Sequence, residues 1–309
     1  MRNMKKNNNT GKYKTIIMIV VFLVLISVSS FPAKYEKPHL YIKFKGIGSL
    51  ADGGHYNDFV ERSEIFFNGV NDQPGYTVSV TTTPYFRGYG GEIGLETPRY
   101  GVGISVGYIE KNFHLDYHYE NAETGFVENY IRDHTFSAVP LFLFIHYRVI
   151  NTSFLKGYLT LGEGVYLATY KDNLEQTFEN GELTFANGSV TGRKNHLGFH
   201  AGVTFDFTIF RNLALFVEAG YRFVRFKEIE AEDFYENDNE QLTSEGILYY
   251  RANDRTGETR LAVGEAGGIF WDELPAVLDL NGFSLNVGIK IIFGGKKKSK
   301  PVKIAPVDF

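Results

Sequence analysis

Hydrophobic and polar positions alternate with period two from Leu197 to Phe223. Leu197, Phe199, Ala201, Val203, Phe205, Phe207 and Ile209 fall on one side, and Gly198, His200, Gly202, Thr204, Asp206 and Thr208 on the other. Successive strand residues point to opposite faces, so this is a strand with one apolar face. After Arg211-Asn212 the rhythm resumes, with Leu213, Leu215, Val217, Ala219, Tyr221 and Phe223 against Ala214, Phe216, Glu218, Gly220 and Arg222. The two halves predict an antiparallel hairpin, and the pattern leaves open which face looks outward.

Six further strands follow from the same period. Leu40, Ile42 and Phe44 alternate with Tyr41, Lys43 and Lys45; Tyr89, Gly91, Ile93 and Leu95 with Gly90, Glu92, Gly94 and Glu96; Val102, Ile104, Val106 and Tyr108 with Gly101, Gly103, Ser105 and Gly107. Residues 135–150 set Val139, Leu141, Leu143, Ile145 and Tyr147 against Phe142, Phe144, His146 and Arg148, with Pro140 demanding a bulge or an unpaired position because it has no N–H to give. In 158–170 neither phase is clean: placing Glu163 on the polar face also places Leu159 and Leu161 there. The last strand, 283–293, alternates Phe283, Leu285, Val287, Ile289, Ile291 and Phe293 with Ser284, Asn286, Gly288 and Lys290. Residues 57–70 are spaced as a short helix, with Asn57 as its cap, and Glu179-Asn180-Gly181-Glu182 is a hairpin turn signal. A further hairpin is expected between Ile247 and Val263 around Arg255-Thr256-Gly257.

Composition adds compartment. The 309 residues hold 33 Gly, 27 Phe and 20 Tyr but one Trp and no Cys, which suits many short-turned strands and excludes disulfides, thiolate metal sites and a cysteine nucleophile. Arg2, Lys5, Lys6, Lys12 and Lys14 precede the wholly apolar run Ile16 to Ile26 and the small residues Ser27 to Ser30, a secretory signal expected to be cleaved. Without those five cations the formal charge moves from -4 to -9, and nothing interleaves bases with aromatics as nucleic-acid binding needs. The expected domains are therefore a signal at 1–30, one all-β domain at 39–293 and a disordered basic periplasmic tail at 294–309.

The eight predicted strands are joined by connections that alternate long and short. An even count with short turns at one rim and long loops at the other is the pattern of an outer-membrane barrel. A soluble barrel would show the same period with its apolar face inward. The polar face argues for the membrane: it is largely Gly103, Gly107, Gly198, Gly202, Gly220 and Gly288 with scattered charges, which suits a crowded narrow interior rather than a solvated surface. The spaced glycines of the 198–223 hairpin, its Asn212-Leu213-Ala214-Leu215 run and Gly220-Tyr221-Arg222-Phe223 resemble the penultimate hairpin of small outer-membrane barrels of the OmpA, OmpX and OmpW kind. The strand ending on Phe293 is similar to their C-terminal assembly signal, although sixteen residues follow it here. The resemblance implies an eight-stranded antiparallel up-and-down transmembrane β-barrel with long extracellular loops. It also implies outer-membrane lipid as solvent and the barrel-assembly machinery as a partner in biogenesis, and it fits a monomer.

In such a barrel Lys43, Lys45, Glu92, Glu96, His146, Arg148, His200, Asp206, Glu218, Arg222 and Lys290 point into the lumen. Side chains fill the interior at eight strands, so the plain reading is a charge network that plugs it, with a structural or surface-interaction role toward an extracellular ligand of unknown kind. The alternative is a narrow porin-like channel for ions or small solutes. His114, Asp116 and His118 share one face of a strand and have the ligand types of a divalent-metal site, but near the outer rim a solvated face is the simpler account. No compact Ser/His pair appears, since Ser137 and His134 face opposite sides, so neither catalysis nor a cofactor is expected.

Overall fold

A computed structural model describes residues 38–253, 259–264 and 271–293. The signal segment, the basic tail with its Lys296-Lys297-Lys298 run, and the turn Arg255-Thr256-Gly257 lie outside the described residues.

The elements in chain order are β1 (His39–Gly54), α1 (His55–Asn71), β2 (Tyr76–Thr82), β3 (Phe86–Glu96), β4 (Tyr100–Glu120), β5 (Val127–Asn151), β6 (Leu155–Glu179), β7 (Phe185–Phe210), β8 (Leu213–Phe223), β9 (Arg225–Phe226), β10 (Glu230–Asn237), β11 (Gln241–Asn253), β12 (Thr259–Val263), β13 (Trp271–Pro275) and β14 (Leu278–Phe293). Eight of the strands close a ring through antiparallel pairs in the order β1, β3, β4, β5, β6, β7, β8, β14 and back to β1. The other six decorate the rim opposite His39 and Phe293: β2 lies on β4, β9 on β14, and β10 to β13 extend the sheet from the upper half of β7.

The registers fix the barrel's geometry. A row of paired residues runs from Phe223 through Phe199, Glu163, Leu143, Ile104, Ile93, Ile42 and Ile291 back to β8 at Leu213, ten residues below its start. That displacement is the shear; with eight strands it sets a tilt of roughly 43° and a wall radius of about 8 Å, so each residue climbs about 2.4 Å along the axis.

The outer wall is apolar. Phe44, Tyr89, Ile93, Ile104, Leu141, Ile145, Leu161, Phe199, Phe205, Leu215, Phe223, Val287 and Phe293 are all exposed, as an inward core would forbid. On β6 the outward run Leu155, Gly157, Leu159, Leu161, Glu163, Val165, Leu167 gives way to Thr169, Lys171 and Asn173, which makes the apolar band about 29 Å tall at this tilt. The phase that the sequence left open is thus settled: Leu159 and Leu161 face out, and Glu163 goes with them into the band.

Two features depart from the sequence reading, and a third, Pro140, takes the second of its two expected forms, the unpaired position. The connections expected to be long between 117 and 135 and between 170 and 197 are mostly strand: β4 and β5 continue to a turn at 121–126, and β6 and β7 to one at 180–184. Asn180 closes the latter with φ 58°, and its Nδ2 donates to Gly125 O across the two tips at 2.7 Å. Asn57 does not cap α1, which starts two residues earlier after Gly54; its side chain instead donates to Asp52 O and accepts from Lys111 Nζ at 2.8 Å. Gly54 itself adopts φ 59°, ψ −140°, and a Cβ there would lie 2.5 Å from Val277 O, so only glycine lets β1 pass directly into a helix at this point. Pro140 produces no bulge: the β4–β5 register is the same on either side, but no pairing is made between Val106↔Leu141 and Ile109↔Ala138.

Candidate functional site: the charged lumen

Inward-facing residues fall into two zones. The zone enclosed by the apolar band holds the charged set among aromatic rings, and above Ile109 and Ala138 the lining is mainly an aromatic and aliphatic core. All eleven charged residues expected in the lumen point inward and are buried or nearly so; Lys290, Glu218 and Asp206 are 2%, 1% and 1% exposed.

The charges meet in tiers set by the register. Nearest the chain ends, Glu96 accepts from Arg148, from the Tyr158 hydroxyl at 2.8 Å and from Lys290, whose Nζ also donates to Asp206 Oδ2 at 2.7 Å. Lys290 Nζ lies 4.7 Å from the Tyr41 ring centroid and 4.9 Å from that of Tyr158, which adds cation–π attraction in a dry site. One tier up, Glu92 Oε1 accepts from the Tyr41 hydroxyl at 2.5 Å, with His146 Nε2 at 2.9 Å and Lys43 Nζ at 3.4 Å. His146 Nδ1 pairs with Thr160 Oγ1 at 2.9 Å, and Thr160 reaches Thr204 at 3.2 Å. In the third tier Glu218 accepts from Asn286 Nδ2 at 2.6 Å and Thr204 Oγ1 at 3.3 Å, with Lys45 Nζ at 3.7 Å and His200 Nε2 at 3.8 Å. Arg222, opposite His200 on the neighbouring strand, has no carboxylate in any of these tiers.

Glycine makes the room. A Cβ on Gly103 would sit 2.7 Å from Tyr41 Oη, and one on Gly220 2.5 Å from His200 Cε1. The inward glycines are therefore the space into which the tyrosine and histidine of adjacent strands lie.

Sequence reasoning missed Tyr41, Tyr158, Thr160, Thr204 and Asn286 as members of the network, together with Lys156, a half-buried lumen cation opposite Asp206. For the residues of β6 the lost signal was the phase. Counting inward positions across the Thr152 to Phe154 turn from Arg148 reaches Lys156, Tyr158 and Thr160.

Above the charges, α1 sits in the mouth. Tyr56, Phe59, Val60 and Ser63 are its buried face. Phe59 packs edge-on to Phe113 and His134 at centroid distances of 5.7 and 4.4 Å, and Tyr56 donates to Lys111 O at 3.1 Å. Beneath the helix Arg132 grips Asp172 with two donors, Nε at 3.0 Å and Nη2 at 2.6 Å, while His134 Nδ1 pairs with Tyr170 Oη at 2.9 Å and lies 3.3 Å from Asp172. Burial drives the His134 pKa down to about 3, against the pull of Asp172, so the ring is neutral at ordinary pH. Burial alone would raise Asp172, but its neighbours His134 and Arg132 more than offset it and hold the carboxyl below its ordinary range.

His114, Asp116 and His118 share the outward face of β4 beyond the apolar band, as expected, but the fold does not gather them. His114 Nδ1 binds Asp133 Oδ1 and His118 Nδ1 binds Asn129 Oδ1, both at 2.7 Å and both on β5. Among the described residues no three His, Asp or Glu side chains converge as a metal would require. Phe293 ends β14 at the rim of the short turns, 44% exposed and paired with Leu40.

A closed ring of eight tilted strands with an apolar exterior, a charged interior and short turns at one rim decides the architecture. It is that of a small outer-membrane barrel. No protein-family model and no curated protein matches the chain. Among solved structures it is similar to a major outer-membrane protein of Thermus thermophilus, at 14% identity over 82% of this chain and 99% of that one with a TM-score of 0.38. The outer-membrane protein OprG of Pseudomonas aeruginosa aligns at 10% identity over 84% and 98% with a TM-score of 0.36, and AlkL in lipid bilayers at 14% over 90% and 99% with a TM-score of 0.32. These scores lie below 0.5, so the barrel assignment rests on the chain's own strand ring and band.

Proposed function

We propose that this chain is an integral outer-membrane barrel with a lumen closed to solutes, whose working surface is the part standing outside the bilayer. The observation that carries this reading is the pairing of the lumen charges: Glu92, Glu96, Asp206 and Glu218 each lie within ion-pair distance of a cation inside the wall, and α1 occupies the mouth above them. A conducting pore would need these charges to face a continuous water column. The role is then structural or a matter of surface contact, with lipid as the solvent of the band and the assembly machinery as the partner that inserts it.

Purified protein in a planar bilayer tests the reading. The expected result is a folded barrel, recognised by heat-modifiable gel migration, that gives no reproducible unitary current. Regular steps scaling with salt would establish the narrow channel instead.

A further inference from the structure

The third tier ends in a cavity of about 30 Å³ at the level where charge gives way to aromatic core, lined by Lys45, Phe142, Tyr166, His200, Glu218 and Arg222 among others. Its donors outnumber its acceptors. Arg222 is 5% exposed, yet its Nε and Nη2 have no acceptor; the neighbouring Tyr166 hydroxyl brings it no charge, and His200 Nε2 stands 3.8 Å from Glu218 Oε1, beyond hydrogen-bond range. A guanidinium keeps its charge at any pH the protein meets, so Arg222 is a permanent cation without an anion in a desolvated site, an arrangement that costs several kcal/mol unless something neutralises it. Glu218 cannot do so: its oxygens already accept from Asn286 and Thr204, with Lys45 Nζ at 3.7 Å as their cation. The imbalance extends to the whole lumen, where Lys43, Lys45, Arg148, Lys156, Arg222 and Lys290 face only Glu92, Glu96, Asp206 and Glu218.

We propose that this cavity is a binding site for one small inorganic anion of halide size, held by Arg222 with help from Tyr166, His200 and the field of Lys45. Where about 10–15 Å³ of such space suffices for one water, about 30 Å³ has room for a chloride or bromide ion. The rings of Phe142 and Phe144 wall one side of the site: Phe144 meets His200 edge-on at 5.5 Å, and Lys45 Nζ lies 5.5 Å from the Phe144 centroid. In a buried site one anion completes the charge balance of the tier, where a water could satisfy the hydrogen bonds but not the charge. The proposal goes beyond the closed-barrel reading, which stands without it.

The test is halide dependence of the folded, full barrel in detergent micelles. Sodium bromide replaces sodium gluconate at constant ionic strength, and the thermal midpoint is followed by gel migration. The expected result is a saturable rise with bromide and chloride that gluconate does not give, and its loss in Arg222→Gln with retention of a weaker response in Arg222→Lys. An equal effect of gluconate, or an undiminished saturable response in Arg222→Gln, would overturn the site. Should Arg222→Gln fail to fold, crystals of the unsubstituted protein grown in bromide decide: an anomalous peak beside Arg222 supports the proposal, and its absence at saturating bromide sinks it. Unitary currents would remove the closed-barrel reading without touching either halide result.

Discussion

Glu163 stands on the outer wall between Leu161 and Val165, with Leu143 and Phe199 as its cross-strand partners and no ion pair among the described residues. It sits about 19 Å above Leu155, well inside a band about 29 Å tall. A carboxylate on the lipid face destabilises a barrel, by less than a basic residue but measurably at this depth. Glu163→Leu is therefore expected to raise stability by about 1 kcal/mol, read from equilibrium urea unfolding in lipid vesicles; an unchanged or lower value would mean the carboxylate has a partner in the membrane. The opposite sign is expected inside. Lys290→Met leaves Glu96 and Asp206 without their shared cation and is expected to cost about 3 kcal/mol in the same assay. Glu163 also marks the limit of the sequence at this scale. Period two assigns a residue to a face only where one face is consistently apolar, and a single lipid-exposed acid broke that rule for the whole of 158–170, hiding Lys156, Tyr158 and Thr160 with it. The eleven charged lumen residues were legible because their strands have clean phases.

For the elements, α1 and its bed of Arg132, His134, Tyr170 and Asp172 form a soluble-type core at the upper end of a membrane barrel. His134 binds its proton far less readily folded than unfolded. The stability it contributes is therefore complete above its unfolded value near 6.5 and is lost as pH falls toward about 3, at up to about 1.4 kcal/mol per pH unit for one group. Asp172 acts in the same direction at still lower pH, since its depressed value favours the folded form until the carboxyl is protonated. The protection factors of the α1 amides, exchange rates corrected for their intrinsic pH dependence, are thus expected to fall between pH 6 and pH 4, and His134→Asn to flatten that dependence; protection factors that stay constant to pH 4 would refute it. The helix was legible from the spacing of Phe59, Val60, Phe66 and Phe67, but its start was not, because Gly54 begins it through a backbone conformation and no side-chain cap is made. The strand extensions escaped for a related reason. Their outward residues, such as Asn129, Lys171 and Asn173, are polar because they stand in water, so the stretches beyond 117 and 170 read as loop although Ala186 and Val190 still alternate inward.

The closure proposed above has two parts at the scale of the molecule, charge pairs at the level of the bilayer and a helix at the mouth. Replacing residues 55–71 by a short flexible linker is expected to leave the bilayer current at zero, because the tiers around Glu92, Glu96 and Glu218 remain; steady conductance in that variant would place the seal in the helix alone.

The lengths of β5 and β6 carry a final consequence. Each has 25 residues, which at the barrel's tilt makes a wall about 60 Å tall, twice the depth of lipid it crosses. The upper halves of β4 to β7 therefore stand as a turret that holds the tips at 121–126 and 180–184 about 30 Å above the apolar band. Those tips are the part of the described wall farthest from the apolar band. Because the chain has no cysteine, the claim can be read in living cells: Glu182→Cys should react with a bulky impermeant maleimide, and Ile289→Cys, buried in lipid, should not.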